Sequence, residues 1–127
     1  MRLHNGRMIA SEEEEQIKVF EWAEYNVGRY PELQLLYHIP NEGKRGRKAA
    51  GALKALGVKK GVPDICLPVR RGMYGALYIE LKAKDGKVSK DQERWLNMLS
   101  TGGNVVCICY GGDSAIRVIE KYIKSGR

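Results

Sequence analysis

Apolar residues recur at helical spacing in four stretches of the chain, and in short runs or strict alternation in four others. The first helical stretch opens at Ser11, an N-cap residue, with Glu14 three positions on to complete a capping box. Four successive acids, Glu12 to Glu15, sit where the positive end of a helix dipole favours them. The stretch runs to Val27 and Gly28 stops it. Ile17, Val19, Phe20, Trp22, Ala23 and Val27 form one apolar stripe, with Glu12 and Gln16 near its middle and Glu15 at its edge. Leu33 to Ile39 reads as a strand and Pro40-Asn41-Glu42-Gly43 as a turn. Ala49, Ala50, Leu53 and Leu56 define a short helix ended by Gly57. Asp64 to Val69 is a second strand, and Arg70-Arg71-Gly72 with Gly75 a basic hairpin turn.

Gly75 to Lys84 is the best-defined strand. Leu77, Ile79, Leu81 and Ala83 face one side, and Tyr78, Glu80, Lys82 and Lys84 the other. Ser89-Lys90-Asp91-Gln92 is a second capping box, opening a helix with Trp95, Leu96 and Leu99 on its apolar face and Gly102-Gly103 after it. Asn104 to Tyr110 is the fourth strand, and a last helix, capped by Asp113, turns Ile116, Ile119 and Ile123 inward. The order α-β-α-β-β-α-β-α predicts an α/β domain, a mixed central sheet flanked by helices. Residues 1–10 read as a flexible tail and residues 11–127 as a single domain.

Composition sharpens this picture only slightly. At 127 residues the chain suffices for one core. A formal net charge of +7 suits a polyanionic partner. No apolar run approaches the roughly 20 residues that span a bilayer, and Met1 to Arg7 lacks a signal-peptide core. Three cysteines, Cys66, Cys107 and Cys109, sit in apolar runs and read as small buried hydrophobes of a reducing cytoplasm, not as disulfides. No second Cys or His pair at ligand spacing supports zinc.

The chemistry concentrates between Pro63-Asp64 and Glu80-Leu81-Lys82. Ionised groups on strands are costly to bury unless they are paired or bind metal. Asp64 and Glu80 on neighbouring strands can hold Mg²⁺ or Mn²⁺, with the backbone carbonyl of Leu81 as a further ligand. Lys82, on the Glu80 face, can orient a water or stabilise charge on a phosphate. That set points to metal-dependent phosphodiester hydrolysis; an ordinary ion pair is the other reading. Glu12 is directed to the core side, where a carboxylate needs a reason to be. Lys44, Arg45, Arg47 and Lys48, and with them Arg70 and Arg71, either grip a sugar-phosphate backbone or merely solvate their loops. His4 falls in the tail, and His38 reads as a polar residue at a strand end.

Pro63-Asp64 followed by Glu80-Leu81-Lys82 resembles the PD-(D/E)XK nuclease superfamily. Ser11-Glu12 with Gln16, Ile39-Pro40-Asn41, Leu53-Lys54-Ala55-Leu56-Gly57-Val58, Gly61-Val62-Pro63-Asp64, Leu77 to Lys82 and Ser89 to Gln92 resemble, in that order, the VRR-NUC domain over about residues 11–123. The likeness is to its small stand-alone form in bacteriophages and prophages. The resemblance implies a restriction-endonuclease-like core, with Asp64 and Glu80 as metal ligands and Lys82 as the catalytic lysine. Glu12, or Glu15 if the register shifts, would be the acid that the first helix contributes. Gln92 would match the family's glutamine, unless it only caps Ser89. Val69-Arg70-Arg71 lies in the hairpin and is not assumed to be the eponymous triplet. The resemblance further implies a homodimer that resolves four-way DNA junctions inside a bacterial host cell. A less selective nuclease, one directed to flaps or nicks, or a catalytically silent DNA-binding protein are the alternatives.

Overall fold

The computed structural model describes the backbone of residues 1–40 and 47–126, and the side chains of 1–40 and 51–126. A hairpin, β1 (Arg2–His4) and β2 (Arg7–Ile9), precedes helix α1 (Glu12–Asn26). A 3-10 turn (Pro31–Leu35) leads to β3 (Tyr37–His38), then α2 (Arg47–Ala55), β4 (Ile65–Leu67), β5 (Leu77–Lys82), α3 (Lys90–Thr101), β6 (Val105–Tyr110) and α4 (Gly112–Lys124).

Four strands form one sheet in the order β3-β4-β5-β6. The first two pairings are antiparallel and β5–β6 is parallel, with Glu80 opposite Ile108 and Lys82 opposite Tyr110. The parallel pair requires a crossover, which α3 supplies. Helices α1 and α4 pack together over one sheet face and bury Val19, Ile65, Ile79, Leu81, Ile119 and Ile123. The alternation read along β5 holds. Leu77, Ile79 and Leu81 enter this core, and Tyr78, Glu80 and Lys82 line the opposite face. Both capping boxes form, Ser11 with Glu14 and Ser89 with Gln92.

Several expectations are corrected. The stretch read as a loose tail forms the β1–β2 hairpin instead, turned at Asn5 and Gly6 with positive φ at both, the short-range hairpin signal that Asn-Gly carries. Asp85 holds that hairpin by an ion pair to Arg2 and a contact with His4 Nδ1 at 3.1 Å. The strand expected over Leu33–Ile39 is only Tyr37–His38, because Pro31 at the start favours a turn of 3-10 helix and Leu33 is buried from that turn. Ile17 is 52% exposed, so the apolar stripe of α1 is narrower than its sequence implies, and Leu56, beyond α2, is 82% exposed. Asp113 does not cap α4. Gly111 (φ 97°) is the N-cap, while Asp113 pairs with Lys18 at 2.9 Å.

Candidate active site

Asp64 ends the loop entering β4, and its main chain is tied on both sides. Its N–H donates to Ile79 O (3.0 Å), and its carbonyl accepts from Ile39 N–H (2.8 Å). Nδ1 of His38 also lies 2.8 Å from that carbonyl. The Asp64 carboxylate accepts from Leu81 N–H at 2.7 Å, which fixes its rotamer toward β5. The N–H and C=O of one strand residue point the same way, so the Leu81 carbonyl also faces the Asp64 side.

Glu80 is 1% exposed and Lys82 6%, the two buried charged residues of the described chain. Lys82 Nζ lies 3.8 Å from Glu80 Oε2, and Gln92 Nε2 donates to that same oxygen at 3.2 Å. Glu80 Oε1 is fully buried and has no hydrogen-bond partner. Burial pushes the Glu80 carboxyl up to about 9, helped by the neighbouring Asp64 carboxylate. Lys82 opposes the rise and Glu12 adds to it. Glu12, exposed at the start of α1, is therefore within electrostatic reach of Glu80. Glu15 is committed elsewhere, accepting from Gly112 N–H at 3.0 Å at the start of α4.

Gln92 serves two ends. Its Oε1 accepts from Ser89 N–H (2.9 Å) to close the capping box while its amide nitrogen holds Glu80. Either role alone explains a glutamine; the geometry gives it both. The surrounding backbone explains two glycines. A Cβ at Gly61 (φ 89°) would come within 2.7 Å of the Asp91 backbone, so this position brings the Asp64 loop against the start of α3. A Cβ at Gly86 would sit 3.1 Å from the Lys82 stem. Trp95 Nε1 donates to Lys60 O (3.0 Å) and fastens the same loop to α3. No periodicity signals any of these contacts; His38 is legible only as a polar residue at a strand end.

The basic residues divide. Lys44 and Arg45 lie outside the described residues, as do the side chains of Arg47 and Lys48. Arg70 is exposed. Arg71 is not a free cation for DNA. It pairs with Glu32 and donates to the carbonyls of Ile123 (2.9 Å) and Arg70 (2.9 Å), pinning α4 and the 3-10 turn at the end of β4 away from Asp64.

Two carboxylates of adjacent strands and one orphaned buried oxygen call for a positive charge beyond Lys82. Among the described residues no three His, Cys, Asp or Glu side chains are gathered to hold an ion by themselves. Hard Mg²⁺ suits such a sparse set, since it is commonly held by one or two carboxylates plus waters. The donor set thus fits an octahedral dication and gives a thiophilic metal nothing.

The model of the VRR-NUC domain matches residues 9–113, a span that contains Glu12, Asp64, Glu80, Lys82 and Gln92 and leaves β1 outside. A solved structure described as a VRR_NUC domain protein superposes with a TM-score of 0.79 at 29% identity, covering 94% of this chain and 93% of that one. A search of curated proteins gives no match. With the match covering most of the chain, and the acid pair and lysine brought together at the entry to β4 and on β5, this chain belongs to the VRR-NUC domain family, nucleases of the PD-(D/E)XK type that act on DNA and generally use divalent metals.

Proposed function

We propose that this chain is a Mg²⁺- or Mn²⁺-dependent endonuclease selective for branched DNA, cutting four-way junctions as a homodimer. The observation that carries the catalytic part is the buried Glu80–Lys82 pair beside the half-buried Asp64 carboxylate, with its unpartnered Glu80 Oε1. Asp64, Glu80 and the Leu81 carbonyl would hold the ion, with Glu12 as an outer carboxylate. The ion's chemistry is to acidify a bound water and neutralise charge on the scissile phosphate. Lys82 holds an ammonium group beside that position, able to orient the attacking water and to balance charge as it builds on phosphate oxygens. Leu81 N–H and Gln92 fix the two carboxylates so that neither has to reorganise. The dimer follows from counting: one chain has one such site, and two opposed strands need two, which a two-fold pair supplies.

The test is a gel assay on a four-way junction, a flap, a nicked duplex, a linear duplex and a single strand, each with Mg²⁺ and with EDTA. Paired nicks across the junction, absent in EDTA, are the expected result. Equal cutting of linear duplex would remove the selectivity, and binding without cutting across several divalent metals would remove the enzyme.

The double duty of Gln92 gives a separable pair of variants. Ser89→Ala removes only the cap, about 1 kcal/mol of stability, and leaves the Mg²⁺ dependence of cleavage in place. Gln92→Ala also removes the Glu80 partner, and the Mg²⁺ concentration for half-maximal cutting rises by about 10- to 100-fold. Melting curves and metal titrations of the two read the contrast. Identical metal curves would reduce Gln92 to a cap.

A further inference from the structure

We propose that the outer face of α4 binds a second stretch of DNA backbone, so that the preferred substrate turns sharply or branches beside the scissile phosphate. The inference rests on the nuclease reading above and deepens it, because it assigns the preference for branched DNA to particular residues. Arg117, Lys121 and Lys124 are exposed at i, i+4 and i+7 on α4, a row about 10 Å long. Among the described residues none of the three pairs with a carboxylate, whereas the acids nearest them are committed. Glu120 accepts from Tyr30 Oη (2.7 Å) and lies 3.7 Å from Arg29, and Asp113 holds Lys18. The row is therefore an uncompensated positive surface, not one side of a salt-bridge lattice.

Its upper end also adjoins the end of the strand that carries Glu80 and Lys82. Lys82 is in register with Tyr110, and its carbonyl accepts from Gly111 N–H at 2.9 Å. A hollow at this junction is lined by Lys84, Tyr110 and Arg117 with the Lys18–Asp113 pair and Glu15, and a second hollow runs on from Arg117 past Glu120 to Lys121 and Lys124. A track of net positive charge thus starts at the carboxyl ends of β5 and β6, beside the Lys82 backbone, and descends α4. Glu80 and Lys82 face one side of the sheet while α4 covers the other. A straight duplex seated on the first side cannot follow this track. Bending one stores elastic energy, whereas the arms of a branch already diverge.

The test is binding in EDTA, where no strand is cut, comparing a four-way junction with a linear duplex of equal length. Lys121→Glu with Lys124→Glu is expected to lower junction affinity by about tenfold or more, to make the slope of log affinity against log salt shallower by about 2, and to leave duplex affinity within about twofold. Lys121→Gln with Lys124→Gln, milder toward the helix terminus, gives the same ranking with a smaller loss, and a melting curve verifies that each variant is folded. Unchanged junction affinity, equal losses on junction and duplex, or a wild-type protein with no junction preference would each overturn the proposal. Mg²⁺-dependent cutting, scored separately, decides the nuclease reading, so either can fail while the other stands.

Discussion

Lys82→Ala is expected to lower the rate of strand cleavage by about 10²- to 10³-fold while DNA affinity in EDTA stays within about threefold, as loss of one phosphate contact out of many allows. The size follows from where the ammonium sits. Lys82 is 6% exposed, 3.8 Å from Glu80 Oε2, with its stem packed on the turn at Gly86. No neighbouring cation or water can substitute freely in so closed a position. Its loss acts twice. The charge available to the phosphate oxygens disappears, and an influence that holds the Glu80 proton affinity down disappears with it. The variant should therefore also need a higher pH to take up Mg²⁺. Lys82→Arg restores the charge but must fit a planar, wider head group into a position where the lysine is only 6% exposed, so it recovers little. Single-turnover cleavage and gel-shift titration read both effects. A Lys82→Ala protein that cuts at the wild-type rate would refute the assignment of the lysine.

Glu80→Gln should kill cleavage yet make the metal-free protein more stable above neutral pH. Burial and Asp64 raise the Glu80 carboxyl from its ordinary value to about 9. Between those two values the folded chain keeps a proton that the unfolded chain has released. Stability without metal then falls as pH rises, by up to about 1.4 kcal/mol per pH unit for this one group. From pH 6 to pH 8 that amounts to about 2–3 kcal/mol, or roughly 10 °C in Tm. Glutamine carries no such penalty, so the Tm of Glu80→Gln should be flat by comparison over the same interval. Mg²⁺ reverses the wild-type trend. Its uptake releases the proton, and its apparent affinity climbs by up to about tenfold per pH unit below 9. Melting curves at several pH values, with EDTA or Mg²⁺, check both statements. Parallel wild-type and Glu80→Gln curves in EDTA would show that Glu80 is ionised without metal.

Periodicity was enough for the elements whose burial is one-sided. The two-residue alternation of Leu77 to Lys82 predicts the faces of β5, and the two Ser-x-x-Glu/Gln boxes locate the starts of α1 and α3. It fails where turn chemistry or tertiary partners decide. Leu33 to Ile39 looks like a strand, yet Pro31 and the anchor of Leu33 make its first half a 3-10 turn. Asn5-Gly6 announced a hairpin that charged neighbours disguised as a tail. At the site, residue types and spacing pick out Asp64, Glu80 and Lys82, but four consecutive acids leave the α1 register ambiguous. In the structure Gly112 N–H takes Glu15, while Glu12 lies within electrostatic reach of Glu80. Likewise Arg70-Arg71 reads as a basic pair, and only the nearness of Glu32 and Ile123 makes Arg71 a structural tie.

Asp64, Glu80, Lys82 and Gln92 all come from one contiguous stretch that folds as an antiparallel pair and the opening turn of a helix. Closing so short a segment forfeits little chain entropy, and contacts between near neighbours in sequence form early. The constellation can thus assemble before β6 and α4 dock, and those late elements mainly seal its back. Amides of β4 and β5 should then be among the slowest to exchange with deuterium, and destabilising changes in α4 should speed unfolding more than they slow refolding.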